Sequence, residues 1–497
     1  MRLLQASRRM DFEPREVGWP LGHGKWPRCG QLWVPYDRTA GVFGPQGSGK
    51  TLDILSPALL SAPGPAMATL TKVDDLLLTM GRRQRQGPCV VLDPFGLAPG
   101  LPSLVWDPID GCVDSVTAER RAKAFTAGTI QGASGAGDSG AARFYAGEAA
   151  KVLQCYLHAA ALTGRTLDDV LRWVAKPQQE QEPEEILARH PHAAPYWAGL
   201  LHGALHGDDR TAGNTVTTLQ QACALFFQAS TRERCVPNAF QSATDLREIL
   251  QNNGTIYLLG REDPYASASP LMTAVAETVL DVALDLANAS PHGRLCPPML
   301  SVLDELPSTA PLPTLRTRMA NERALGLAFI YATQTRAQLT TVMGEEEARA
   351  LFALTNVLVM FGGSKDAGFN KEISDLIGQV QVTSETRQDW NTFSLSRDDI
   401  DVLRPEDIRQ LPPRTALVLA ENGRPIIARL DRCIDGEQGK QLKADQQALR
   451  EQMIDNRREM ESLEDRQRRA LNAAAELGLD KGHPALEEVT TDEQFFL

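Results

Sequence analysis

Gly44-Pro45-Gln46-Gly47-Ser48-Gly49-Lys50-Thr51 is a complete G-x-x-x-x-G-K-T phosphate loop, and its flanks say how it folds. Thr39-Ala40-Gly41-Val42-Phe43 reads as the end of a strand. Leu52, Ile54, Leu55, Leu59 and Leu60 read as the start of a helix that Pro63 stops. In a strand–glycine turn–helix unit, successive backbone N–H groups face a polyphosphate, and the helix N-terminus adds its positive end. Lys50 then reaches the β- and γ-phosphates, and the Thr51 hydroxyl ligates Mg²⁺. An accidental glycine turn would rarely fill all four fixed positions between such flanks.

A loop of this kind needs carboxylates from a second strand. Leu303-Asp304-Glu305 closes an apolar run that starts near Met299. Asp304 would hold the Mg²⁺ shell through water, and Glu305 would polarise the attacking water. An apolar run ending in Asp-Glu is common by chance. Beside a phosphate loop it gains weight, because strand ends converge at the ligand crevice of an open parallel sheet. Tyr331-Ala332-Thr333-Gln334 is another strand ending in a polar residue, where Gln334 serves either as a hydrogen-bond partner of the γ-phosphate or as a satisfied strand-end amide. Arg323 lies in a helix expected over 313–324. An arginine beside the developing phosphate charge contributes about 10³ to 10⁵ in rate. Spacing alone treats Arg323, Arg316, Arg318 and Arg336 alike, as surface arginines or as that group.

The rest of the chain supports an α/β protein of several parts. At 497 residues it exceeds one ordinary core, and its 42% hydrophobic share is that of a globular protein. Val90-Val91-Leu92-Asp93-Pro94 continues the strand–helix rhythm to residue 110. From 111 to 250 helical runs dominate (118–127, 141–162, 167–174, 215–229), broken by loops expected at Gly128–Gly140 and Gln178–Glu185. Strands resume at 254–260, 298–303, 327–331, 357–361, 415–420 and 425–429. Their lack of alternation implies burial on both faces, as in a helix-covered parallel sheet. From 435 to 497 the chain is charged; Met453, Met460 and Leu463 are too sparse for a coiled-coil seam, so a solvated helix with a loose tail after Gly482 is expected.

Eight scattered cysteines without a C-x-x-C pair argue against a zinc site or disulfide framework and suit reduced cytoplasm. His190 and His192 lack the carboxylates a metal site would need. The most apolar stretch, 271–289, carries Glu277, Asp281 and Asp285 at helical spacing and reads as an amphipathic helix rather than a membrane span. Arg8 and Arg9 read equally as the flank of a membrane helix outside this sequence and as a solvated start. A formal charge of −12 offers no broad basic surface, so any contact with DNA is confined to a groove or pore.

Leu303-Asp-Glu-Leu-Pro307, the following arginines, Ala332-Thr-Gln-Thr-Arg-Ala-Gln-Leu339, Asn356-Val-Leu-Val-Met-Phe-Gly-Gly-Ser364 and Ile373-Ser-Asp-Leu-Ile-Gly378 together resemble the TraG/TraD coupling ATPases of type IV secretion. Thr71-Lys72, Asp93-Pro94 and Trp106-Asp107-Pro108 fit the same scheme, which covers roughly 35–430. The resemblance implies a RecA-like P-loop NTPase domain built from 1–110 and 251–434. It also implies an inserted all-α domain at 111–250 and a charged helical tail at 435–497. It implies an ATP- and Mg²⁺-dependent homo-hexamer at the inner face of the cell membrane, moving relaxase–DNA complexes or effector proteins into a secretion channel. It assigns nucleotide binding to residues 44–51 with Asp304, γ-phosphate sensing to Gln334, and to Arg323 a reach into the neighbouring subunit's site. Family members usually begin with membrane helices, which this sequence lacks. A soluble branch docking on a separate membrane partner, or loss of that segment, would account for the difference. A FtsK/HerA-like double-strand DNA pump and a nucleotide-stabilised effector receptor are the competing expectations.

Overall fold

Strands form where short aliphatic and β-branched runs are bounded by Gly, Pro or Asp. In the computed structural model, which describes residues 13–130, 139–238, 241–260, 267–389 and 392–476, these runs become β1 (Gly18–Trp26), β2 (Gln31–Pro35), β3 (Ala40–Phe43), β4 (Ala66–Leu70), β5 (Cys89–Leu92), β6 (Thr255–Leu259), β7 (Met299–Leu303), β8 (Leu327–Thr333), β9 (Val357–Phe361), β10 (Gln379–Asp389), β11 (Thr392–Asp401), β12 (Thr415–Ala420) and β13 (Ile426–Arg429). Eleven of them make one sheet in the order β2-β1-β13-β12-β9-β3-β8-β7-β4-β6-β5. From β9 to β5 every neighbouring pair is parallel. These strands are buried along their whole length, which explains their lack of alternation.

The two faces of the sheet feed two cores. Phe43, Met67, Leu92, Leu303 and Tyr331 point into one, with Phe125, Tyr156 and Trp173 from the helices. Ala40, Val42, Ala68, Val91, Val302 and Ile330 point into the other, with Ile54, Leu55 and Leu59 after the phosphate loop. Between β5 and β6 the described residues form helices and connections only, the longest being Ser139–Thr163. No helix among the described residues is long and apolar enough to cross a membrane.

Several expectations need correction. β12 and β13 do not extend the parallel sheet: β12 runs antiparallel to β9, β13 to β12, and β1 to β13. The turn at Glu421–Pro425, with its Asn422-Gly423 pair, is too short for a crossover and permits only a hairpin. The loop expected at Gln178–Glu185 is partly helix, Glu182–Arg189, started by Pro183 and an acidic first turn. Glu182 anchors it, accepting from Arg172 at 2.6 Å and from the Trp173 indole at 3.1 Å.

The tail helix Gly436–Glu476 is not simply solvated. It lies along the helix Val73–Gln84, burying Leu442 and packing Leu449 and Met453 on the sheet core. Asp445 meets Arg85 at 2.7 Å, and Arg450 meets Asp74 at 2.5 Å. The side chains of Met460 and Leu463, the stretch after Gly482, residues 131–138 of the Gly-rich loop, and Arg8 and Arg9 lie outside the described residues. The hairpin β10–β11, unexpected from sequence, forms a separate two-stranded sheet after Gly378.

Candidate nucleotide site

β3 ends at Phe43, and the chain turns sharply through the loop into a wide helical turn at Thr51–Leu55, continued as helix Ser56–Ser61. The turn needs glycine at Gly49, where φ is +102° and a Cβ would stand 2.4 Å from a carboxylate oxygen of Asp53. Lys50, 6% exposed, donates to the carbonyls of Gly44 at 2.6 Å and Pro45 at 3.3 Å. β8 ends beside the loop, with the Gly44 N–H donating to the Thr333 carbonyl at 3.3 Å.

The carboxylates of β7 arrive where the loop is. Thr51 Oγ1 donates to Asp304 Oδ2 at 3.1 Å across 253 residues of sequence. Lys50 Nζ lies 3.6 Å from Glu305 Oε1, which also accepts from Gln334 Nε2 at 3.2 Å. The backbone of this corner is pinned: the Asp304 carbonyl accepts from Thr69 Oγ1 at 3.0 Å and Thr309 Oγ1 at 2.7 Å. Glu305 sits in the left-handed region (φ 48°, ψ 49°), an uncommon place for a residue with a side chain and a form of strain that persists where surroundings enforce it.

Electrostatics match an oxyanion-and-cation site. Burial pushes the Asp304 carboxyl above its ordinary range, and the Thr51 hydroxyl and Lys50 oppose that push. Glu305 is raised for the same reason, with Lys50 again opposing. Ser48 Oγ, Asp304 Oδ1 and Glu305 Oε2 are buried with no hydrogen-bond partner among the described residues. A polyphosphate and a hard divalent cation would satisfy these oxygens and the lysine together, so the residues present fit Mg²⁺ and a nucleotide.

Not every expected residue joins this cluster. Arg323 falls not in a helix over 313–324 but on the 3₁₀ turn Arg323–Leu325, after a shorter helix, Leu315–Asn321. That turn precedes β8, whose seven residues separate it from Gln334 by about 23 Å at ~3.3 Å per residue. Arg323 therefore lies at the opposite end of the parallel strands from Lys50 of the same chain. Arg316 pairs with Glu347 at 2.7 Å and Arg336 with Glu372. Arg318 is buried among Glu277 at 2.8 Å, Asp281 at 2.5 Å and Glu322 at 3.2 Å. Arg323 instead donates to the neutral Asn356 Oδ1 at 3.1 Å, and no carboxylate pairs with it among the described residues.

Residues 298–413 match the family model described as the TraM recognition site of TraD and TraG. Solved structures with the same fold include the bacterial conjugative coupling protein TrwBdeltaN70 in an unbound form. That match has TM-score 0.60 and 21% identity, and covers 80% of this chain and 87% of that one. Segment 298–413 thus resembles that family, and the chain shares its fold with TrwB. The plasmid coupling protein TrwB in complex with ADP and Mg²⁺ aligns with TM-score 0.58 at 21% identity, covering 80% and 86% of the two chains. Its complex with the non-hydrolysable ATP analogue ADPNP aligns at 0.55 and 20%, with the same coverage. No curated protein matches the sequence.

The TraG/TraD-type segment holds Asp304, Glu305, Arg323 and Gln334, whereas the loop at 44–51 lies outside it. Two neighbours of the site escaped the sequence reading. Asp75, in the first turn of helix Val73–Gln84, is itself raised by burial, and its charge pushes Asp304 further up. The acidic pair that follows Thr71-Lys72 was the available signal. Arg432, just past β13, clamps Asp53 behind the loop with Nε at 2.7 Å and Nη2 at 3.2 Å. No local pattern could have pointed to it.

Proposed function

We propose that this chain is an ATP-hydrolysing ring motor of the TraG/TraD kind that couples DNA, as a relaxase–DNA complex, or protein effectors to a type IV secretion channel. The observation that carries the reading is the closure of Lys50 and Thr51 on Asp304 and Glu305. Lys50 neutralises the β- and γ-phosphates. Thr51 would ligate Mg²⁺ and Asp304 would hold its water shell; the ion would supply charge neutralisation when bound. Glu305, steered by Gln334, takes a proton from the attacking water. Gln334, beside Glu305 at the same strand ends, is placed to sense the γ-phosphate, as in the coupling ATPases this sequence resembles.

The loop residues Gly44, Pro45, Gln46, Gly47, Ser48 and Gly49 cradle the phosphates with their N–H groups. The fold shared with TrwB, solved with ADP and Mg²⁺, supports this choice of ligands. In a homo-hexamer Arg323 serves the neighbouring subunit's site, which accounts for its distance from its own loop and its lack of a carboxylate partner among the described residues. The core motor comprises 1–110 and 251–434. The helical part, 111–250, forms a domain that presents a cargo or partner surface, and 435–497 is a tail braced on the motor. The ring works in the cytoplasm against the inner face of the membrane, beside membrane-anchor and channel proteins.

Turnover of ATP by the purified chain, alone and with single- or double-stranded DNA, tests the reading. Mg²⁺-dependent hydrolysis stimulated by DNA or a relaxase supports it. Stimulation by double-stranded DNA alone, without response to relaxase or effector, points to a FtsK/HerA-like pump. Tight nucleotide binding with no turnover under any condition leaves only an effector receptor. Mixing Arg323→Ala with Lys50→Ala chains, each inactive alone, restores activity if the site is shared; no restoration removes the trans role.

A further inference from the structure

We infer that Asn356 is a positioning residue that couples Arg323 to the strand carrying its own subunit's phosphate loop. The inference rests on the trans role of Arg323 proposed above. Asn356 stands just before β9, at the end of the parallel strands opposite the loop. Its Oδ1 accepts two donors at once, the Thr39 backbone N–H at 3.0 Å and Arg323 Nη1 at 3.1 Å. Thr39 is the residue before β3, and β3 runs straight into Gly44. One amide oxygen thus joins the arginine a subunit offers outward to the root of the strand that holds its own nucleotide.

Further bonds tie the backbone around that junction. The Asn356 and Val357 N–H groups donate to the Thr39 carbonyl at 3.1 and 3.0 Å, and the Glu421 N–H donates to the Asn356 carbonyl at 3.2 Å. Asn356 Nδ2 donates to the Glu421 carboxylate, which also accepts from Arg38 Nε at 3.2 Å. The turn bearing Arg323 is anchored by the preceding residue, Glu322, whose carboxylate meets buried Arg318 at 3.2 Å. The backbone on both sides of the junction is thus hydrogen-bonded, and among the described residues the half-buried Arg323 side chain is tied to it through Asn356 Oδ1.

The chemistry suits a residue that must hold the arginine and let it go. A neutral amide oxygen engages one of five guanidinium donors, so the developing charge on a neighbour's phosphate outcompetes it. A carboxylate at this place would hold the guanidinium with a charge-assisted bond. An aliphatic side chain would orient nothing and would strip a partner from the N–H of buried Thr39. When Arg323 leaves for the neighbouring site, Oδ1 bonds Thr39 alone, and the root of β3 registers that departure.

The test is the full chain's single-turnover ATP hydrolysis rate and the ATP dependence of its steady state. The variants are Asn356→Asp, which keeps an acceptor for Thr39, Asn356→Ala, Arg323→Ala and the double variant Asn356→Asp/Arg323→Ala, each checked for an unchanged thermal melt. Arg323→Ala loses about 10³-fold or more. Asn356→Asp loses about tenfold, the equivalent of one mis-set hydrogen bond, and its Hill coefficient for ATP falls towards one. The double variant is no slower than Arg323→Ala, because the two residues act as one unit. Multiplying losses in the double variant, or a rate loss with cooperativity intact, overturns the coupling. So does an Asn356→Ala chain that folds and turns over like wild type while Arg323→Ala is impaired. An Arg323→Ala chain with normal turnover sinks the trans role itself, a different failure.

Discussion

Replacing Arg432 by Met keeps the stem of the side chain and removes the guanidinium that faces Asp53. The Asp53 side chain is 0% exposed, and among the described residues its carboxylate accepts only from Arg432, at 2.7 and 3.2 Å. Stranding one partner of a buried pair costs about 3–5 kcal/mol. The Arg432 side chain is 30% exposed, so water reaches this pair, and about 2–3 kcal/mol is the expected loss. At about 2–4 °C per kcal/mol for a domain of this size, the melting transition falls by roughly 4–12 °C. Because Asp53 lies two residues beyond Thr51, affinity for a fluorescent ADP analogue weakens in parallel. A double-mutant cycle closes the reasoning: Asp53→Leu/Arg432→Met regains most of the loss, since no buried charge is left alone. The account fails if Arg432→Met melts within about 0.5 kcal/mol of wild type, or if the two single losses simply add.

Lys50→Ala abolishes nucleotide binding and turnover, whereas Glu305→Gln binds ATP and does not hydrolyse it; equilibrium binding and phosphate release separate the two. Burial holds Asp304 and Glu305 above their ordinary values of 3.8 and 4.5, so the folded state binds more protons than the unfolded one across the window above them. Their contribution to stability is therefore greatest at low pH and falls as pH rises through that window. Urea midpoints measured at a series of pH values show this decline, and Asp304→Asn flattens it. Binding of Mg²⁺-nucleotide, which favours the ionised carboxylates, releases protons that calorimetry in buffers of different ionisation enthalpy detects. Arg318→Met strands the charges of Glu277, Asp281 and Glu322 and costs about 3–5 kcal/mol, read as a lower melting temperature.

The phosphate loop and the Asp304–Glu305 pair were legible because phosphate chemistry dictates residue types at fixed spacing, and because a parallel sheet delivers strand ends to one crevice. The buried strands were legible for a related reason, since burial on both faces leaves only apolar runs. What escaped depends on partners far away in sequence. Arg432 and Asp53 are 379 residues apart, and each looks like an ordinary surface charge until folding joins them. The charged tail looked solvated because a helix resting one edge on Val73–Gln84 needs few apolar positions; Leu442, Leu449 and Met453 suffice. β12 and β13 carried the composition of buried strands, and only the short Asn-Gly connection hinted at their reversed direction.

The polarity of the sheet constrains the mechanism more than any single contact does. Parallel strands β3, β7 and β8 all end at the loop, so Lys50, Thr51, Asp304, Glu305 and Gln334 gather there. Residues at the other end of those strands cannot reach it within one chain, and Arg323 is at that end. A chain of this build carries the candidate nucleotide site at one end of its parallel strands and, a strand's length away, an arginine that among the described residues donates to one neutral side-chain oxygen. If the arginine acts in hydrolysis at all, copies must meet edge to edge, and each site then depends on the state of its neighbour. Under the proposed trans role, such dependence would let a ring fire in order, because an arginine withdrawn from Asn356 to serve one site would alter the root of β3, and with it the grip on the next nucleotide.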